Sequence, residues 1–257
     1  MIPHSQVDPN TLTLNPTGSV ATLTFGSGQR FNAMRLQDWQ ELHRAADSLA
    51  GNDSLRAVVV RGRGGVFCSG SDLREWDGAS TDEVQASFAG MEAAMRAIED
   101  LPMPTVAIVE GFAVGAGCQL ALACDLQLMN RSARMGMPIA RLGILAPAAF
   151  ANRLSLRIGP SRTKELLYGG RVLSAEQAGE IGLITTVVAD DDADSALEGL
   201  LSGWETLSAA SLRASKTAVD LALRPLVQPV RLAPQGPTAD PREFARRVNA
   251  FLHRARG

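Results

Sequence analysis

Histidine is scarce in this chain: His4, His43 and His253 are the only three among 257 residues. None stands in a glycine-rich stretch, which argues against a histidine-based catalytic triad or a histidine metal site. Cysteine is equally scarce, with three residues and no C-x-x-C pair. That speaks against a zinc site and a disulfide framework, and for reduced thiols in a cytosol-like compartment. Neither sign of charge dominates: 25 Lys and Arg face 27 Asp and Glu, a formal net charge of −2. Such a chain has no strong field to attract nucleic acid or an anionic membrane. No apolar run approaches the ~18 residues needed to cross a bilayer. The opening MIPHSQVDPN has no basic region followed by an apolar one, so it does not read as a secretory signal. The expectation is a cytoplasmic protein with no nucleic-acid or membrane partner.

What is present is an ordinary α/β rhythm in a chain long enough for one sizeable domain, or one domain with an appended helical segment. SVATLTF (19–25) alternates as a half-buried strand does. After the turn GSGQRFNAM, Leu36, Trp39, Leu42, Ala46 and Leu49 recur at helical spacing. AVVV (57–60) and TVAIV (105–109) are short, continuously apolar strands, typical of a sheet covered on both faces. Between them, Val84, Phe88, Met91, Met95 and Ile98 mark one face of a second helix.

Beyond residue 130 the signals change. SAEQAGEIG opens with a capping box, Ser174 and Gln177. LITTVV (183–188) reads as the last strand. Leu197, Leu200, Leu201, Trp204 and Leu207 form a helical stripe. The final helix begins at Asp240, Pro241 and Glu243, and its spacing turns Phe244, Val248, Phe251 and Leu252 inward. LRPLVQPVRLAPQGPTADP (223–241) holds five prolines. It is expected to carry no helix and to serve as a surface linker or a crossing to a neighbouring subunit.

Two glycine-bearing loops follow buried strands: FCSGSDL (67–73) and EGFAVGAGCQ (110–119). Glycine permits positive φ and close backbone approach. A helix opening at Gly117 leaves its first N–H groups without intrahelical partners. Those groups and the positive helix end favour an oxygen that becomes anionic. Two such loops side by side would make an oxyanion hole. The second loop has neither the Lys-Ser/Thr of a phosphate loop nor the glycine spacing of a dinucleotide fingerprint. CSGSD is not a nucleophile elbow and no histidine lies nearby. Cys68 and Cys118 read as packing residues.

The blocks RFNAM, VFCSGSDL, PTVAIVEGFAVGAGCQLALACDLQL, MGMPIARLGI, LLYGGRVLSAEQAGEIGLITTVV and VNAFLHRAR together resemble, in order, those of the crotonase superfamily, the enoyl-CoA hydratase/isomerase group. The match spans roughly residues 12–220 and resumes at the C-terminal helix. The resemblance implies an α/β crotonase fold: a spiral of ββα units over 1–190 with the acyl-CoA site, and a C-terminal helical trimerisation region over 191–257. It implies a homo-oligomer, a trimer or a hexamer. It also implies an acyl-CoA or other acyl-thioester substrate, with coenzyme A entering as part of that substrate and no separate cofactor or metal. The oxyanion donors map to the backbone N–H groups of Ser69 and Ala116. Arg30, Phe31 and Ala33, with Cys68, Ser69, Gly70, Ser71 and Asp72, border the substrate, as do Gly115, Ala116 and Ile139.

The pattern breaks at the acid/base positions. The family's hydratases place glutamates where this chain has Gln119 and Ile139, and Ile144 to Phe150 hold no titratable side chain. Gln119 can hydrogen-bond a water or a substrate oxygen but cannot abstract a proton. Asp72 reads as a helix cap. Glu75 and Asp77 read as a solvated face, and Glu110 as a turn residue. A positioned acid or base supplies ~10²–10⁴ in rate, so efficient two-glutamate hydration is not expected. Decarboxylation or isomerisation of a thioester through an enolate fits better. The alternative is a non-catalytic acyl-thioester-binding or scaffold homologue.

Overall fold

The computed structural model describes residues 12–14, 18–233 and 236–254. The first ten residues and Pro234, each part of a sequence expectation above, lie outside them.

Six strands form the main sheet in the order β1-β2-β3-β4-β6-β9. They are β1 (Leu12–Leu14), β2 (Val20–Phe25), β3 (Ala57–Gly62), β4 (Thr105–Val109), β6 (Leu126–Asn130) and β9 (Thr186–Val188). Only β1 runs antiparallel to its neighbour. A second sheet orders β5 (Phe112–Val114), β7 (Arg134–Gly136) and β8 (Val172–Ser174). Parallel neighbours need crossovers. The first three are α1 (Leu36–Leu49), α2 (Thr81–Glu99) and α3 (Ala116–Ala123).

Successive strand residues face opposite sides, and both sides are buried. Val58, Val60, Ala107 and Val109 point into a large core with the apolar faces of α1 and α2. Val59, Val106 and Ile108 point the other way, against α6 (Ala193–Glu205) through Leu197, Leu200, Leu201 and Trp204. That explains the continuously apolar runs. Leu207 drops out of the stripe because α6 ends at Glu205, and it is 51% exposed.

α4 (Ala148–Gly169) is interrupted at Gly159–Pro160. α5 (Ala175–Glu180) carries the capping box: Gln177 N–H donates to Ser174 Oγ, and Ser174 N–H to Gln177 Oε1. β9 takes up only the end of LITTVV, because Leu183 and Ile184 pack into the core instead.

The proline-rich stretch departs from expectation. α7 (Ala209–Leu232) runs straight through Pro225 and Pro229. Each proline deprives the carbonyl four residues earlier of its donor. No residue of α7 is buried, so water can satisfy those carbonyls. Polar links pin the helix along its length: Arg213 Nη2 to the Leu55 carbonyl (2.8 Å), Lys216 Nζ to Asp125 (2.9 Å) and Arg231 Nη1 to Asp100 (2.8 Å). α8 (Phe244–Arg254) follows Asp240, whose Oδ1 accepts from the N–H groups of Arg242 and Glu243. Phe244 and Val248 are buried, but Phe251 is 53% exposed. The contact of α8 with the body is centred near its start, where Gly143 lies against Phe244 and Arg247, and Phe251 lies about two turns beyond it.

Candidate active site

The site is built on the segment after β3. Residues 67–72 lie between two others. On one side, Phe67 N–H donates to the Glu110 carbonyl, Cys68 N–H to Phe112 O, and Val114 N–H to Cys68 O. On the other, Met34 N–H donates to Gly70 O and Asp72 N–H to Met34 O. This brings together Arg30, Phe31, Ala33, Cys68 to Asp72, Gly115 and Ala116 from three separate parts of the chain.

The turn Arg30–Asn32 is left-handed at all three residues, with φ of 50°, 53° and 54°. Non-glycine residues rarely hold that conformation, and buried Asn32 holds it here. Asn32 Nδ2 donates to the carbonyls of Arg63 (2.7 Å) and Val66 (2.6 Å), while its Oδ1 accepts from Gly28 N–H. Phe31 stands 59% exposed, edge-on to Phe112 at 5.4 Å. Arg30 Nη1 pairs with Asp72 at 3.0 Å.

The expectation for Ser69 is overturned. Its N–H donates to the Phe31 carbonyl at 2.9 Å, and its Oγ donates to Arg30 O at 3.3 Å. That amide is not available to a substrate oxygen. The next amides differ. Gly70 N–H turns to Cys68 Sγ, and Ser71 N–H has no partner among the described residues. Ala116 keeps its expected availability. α3 opens at Ala116 after Gly115, whose φ of 58° and ψ of −120° suit glycine. The first intrahelical bond is donated by Gln119 to Gly115 O, so the amides of Ala116, Gly117 and Cys118 have no protein acceptor among the described residues. The two segments touch closely. A Cβ on Gly70 would sit 3.5 Å from Ala116 N, and one on Gly117 only 2.1 Å from the Cys68 carbonyl.

Asp72 does not cap a helix; its Oδ1 accepts from Arg74 N–H in a turn, and Ser80 caps α2. Glu75 is also committed locally: it accepts from Leu36 N–H at the start of α1. Glu110 forms a two-pronged pair with Arg61, both bonds at 3.0 Å. The three cysteines are buried and unpaired. Burial pushes the thiols of Cys68 and Cys118 up to about 12, so neither is a nucleophile at neutral pH.

Gln119 is wholly buried. Its Oε1 accepts from Arg153 Nη1 at 3.0 Å, and its Nε2 lies 3.6 Å from Met137 Sδ. Arginine only donates, so the amide oxygen must face it. Arg153 belongs to a buried ionic group that the sequence did not reveal. Its Nε donates to Glu99 at 2.6 Å and its Nη2 to Glu92 at 3.3 Å. Burial alone would raise the Glu99 pKa, but the charges of Arg153 and Arg231 outweigh it and hold that carboxyl below its usual range. Ile139 is buried in the turn Pro138–Leu142, two residues after Met137. Residues 143–145 then pair with 238–240. A cavity of about 260 Å³ opens between Phe88, Glu92 and Arg96 of α2, residues 146–150, and residues of the 230–238 segment.

Comparison with known proteins supplies the family. The family model for enoyl-CoA hydratase/isomerase matches residues 15–235. YngF of Bacillus subtilis is 32% identical over 205 residues, 79% of each chain. Human mitochondrial methylglutaconyl-CoA hydratase is 37% identical over 148 residues, which span 57% of this chain and 44% of that protein. Among solved structures, an enoyl-CoA hydratase/carnithine racemase from Magnetospirillum magneticum superposes with a TM-score of 0.79 at 27% identity, over 84% of this chain and 82% of that one. DspI of Pseudomonas aeruginosa gives 0.74 at 26%, over 97% and 93%. The fold is the crotonase fold, and the chain belongs to the enoyl-CoA hydratase/isomerase family.

Proposed function

We propose that this chain binds an acyl-CoA thioester and stabilises the enolate formed from it, with the backbone N–H groups of Ser71 and Ala116 holding the thioester oxygen. The observation that carries the reading is the pair of amides, without partners among the described residues, where the Gly70 and Ala116 segments approach closely. One amide opens a helix, whose positive end favours developing negative charge. An oxyanion donor is worth ~10²–10³ in rate. Arg30, Phe31 and Phe112 border the coenzyme A arm in this reading. The enzyme works as a cytoplasmic homo-oligomer, a trimer or a hexamer, with the exposed apolar residues Val219, Leu221 and Leu226 of α7 at the contact between copies.

The reaction is decarboxylation or isomerisation rather than two-glutamate hydration. A departing carboxylate leaves the enolate behind without any base, and isomerisation needs one proton-moving group instead of two. The reading is tested by incubating the protein with crotonyl-CoA, a 3-enoyl-CoA and methylmalonyl-CoA, followed by mass spectrometry. Loss of carbon dioxide or a shifted double bond is expected. Hydration of crotonyl-CoA at the ~10 per second of an ordinary enzyme would contradict it. The second reading, an acyl-thioester binder without turnover, is favoured by the burial of Gln119 against Arg153. Saturable binding with no product from any of the three would support it.

A further inference from the structure

The 260 Å³ cavity carries one carboxylate among its described lining residues, Glu92. A glutamate in mid-helix is ordinarily solvated, yet Glu92 is 5% exposed. Arg96 Nε donates to its Oε1 at 2.9 Å, and Arg153 Nη2 lies 3.3 Å from Oε1 and 3.4 Å from Oε2. Oε1 takes the two shorter contacts, so Oε2 keeps the freer lone pairs. Three links tie this carboxylate to the loops. Met91, its neighbour on α2, meets Ser71 Oγ through Sδ at 3.2 Å. The guanidinium that touches Glu92 also touches Gln119. Gln119 in turn lies one turn along α3 from Ala116. Residues 146–150, which face Glu92 across the cavity, contribute no titratable side chain. A glutamate at 119 would add a third carboxylate to Arg153. The glutamine leaves Glu92 as the carboxylate this guanidinium holds at the cavity wall.

We propose that Glu92 is the catalytic carboxylate of this site and that it removes a proton from Cα of a bound short-chain acyl thioester. The inference rests on the acyl-thioester reading above. In the step, the Cα–H bond breaks and its electron pair forms the second bond between Cα and the carbonyl carbon. The carbonyl π pair moves onto oxygen, which the Ser71 and Ala116 amides hold, and Glu92 becomes a neutral acid. Return of the proton to Cα restores the substrate. Its delivery to Cγ of a 3-enoyl thioester gives the 2-enoyl isomer. No oxidant, reductant or further reactant enters. The cavity, about 260 Å³, is smaller than those that hold drug-sized molecules, which favours a short acyl chain.

The test is deuterium uptake at Cα of butanoyl-CoA in heavy water, read by mass spectrometry, with binding of the same compound followed by calorimetry. The wild-type protein is expected to bind and to exchange. Glu92→Gln is expected to bind but to exchange at least ~100-fold more slowly, the scale of a lost base. Glu99→Gln removes the other carboxylate on Arg153, which does not line the cavity, and is expected to keep the exchange. Should Glu92→Gln not fold, Glu92→Asp decides: it keeps the negative charge beside Arg96 and Arg153 but withdraws the carboxylate from the cavity, and exchange should still fall in the folded variant. Undiminished exchange in a folded Glu92 variant, an equal fall in Glu99→Gln, or wild-type binding without exchange overturns the inference and leaves the acyl-thioester reading standing. A wild-type protein that binds no butanoyl-CoA overturns both.

Discussion

Ser69 and Ser71 carry the same side chain two residues apart, yet only Ser71 keeps a backbone N–H without a partner among the described residues. The difference is imposed from outside the loop. The left-handed turn at Arg30–Asn32 aims the Phe31 carbonyl at Ser69, and Gly70 follows with a φ of 106°. Gly70→Ala should therefore be costly twice over. Its Cβ would meet the Val114 carbonyl at 2.9 Å, beside the Ala116 amide, and an alanine at that positive φ is strained. The expected loss is about 1–3 kcal/mol, or roughly 2–12 °C in melting temperature, with acyl-CoA binding weakened beyond what the stability change explains. The buried thiols give a pH prediction. Cys68 and Cys118 titrate near 9.0 when unfolded and at about 12 when folded. Their contribution is complete below pH 9 and is lost as pH rises from 9 towards 12, because the unfolded chain releases the protons first. Denaturant titrations across that range should show falling stability, and iodoacetamide at pH 8 should label the thiols only after unfolding. That two glycine loops meet was legible from their position after buried strands. Which amide stays free was not, because it depends on a carbonyl nearly forty residues away.

At the scale of elements, local chemistry predicted well and long-range anchoring did not. The Ser174–Gln177 box closes as its spacing dictates, since all its atoms lie within one turn. Ser174→Ala should cost about 1 kcal/mol, readable as a drop of roughly 2–4 °C in melting temperature. The proline count argued against any helix in 223–241, yet α7 continues to Leu232. Three basic side chains tie it to strand ends and helix ends elsewhere, and no local pattern announces them. If α7 tolerates Pro225 only because the orphaned carbonyl is solvated, Pro225→Ala should restore a backbone bond and stabilise the helix by up to ~3 kcal/mol. Circular dichroism and thermal melting would detect this; a fall in melting temperature would mean that the proline ring itself supports the packing.

For the whole molecule, the apolar strands 57–60 and 105–109 already announced a sheet covered on both faces, and α6 with the large core supplies the two covers. Glu92 was hidden by the same amphipathic pattern. Its neighbours Met91 and Met95 marked the buried face of α2, and that apolar stripe does not include Glu92. Arg96, one turn on, and Arg153, 61 residues away, together make its burial possible, and nothing local announces the second. The penultimate helix adds exposed apolar area, at Val219, Leu221, Leu226 and Leu232 of α7. Burying it between copies predicts an oligomer in sedimentation, and Leu226→Lys should shift the population towards monomer. The position of a bound thioester oxygen decides whether the Ser71 and Ala116 amides act together. A crystal structure with butanoyl-CoA should place that oxygen about 2.7–3.1 Å from both the Ser71 and the Ala116 nitrogen. A thioester lying elsewhere, or an oxygen bound to neither amide, would contradict it.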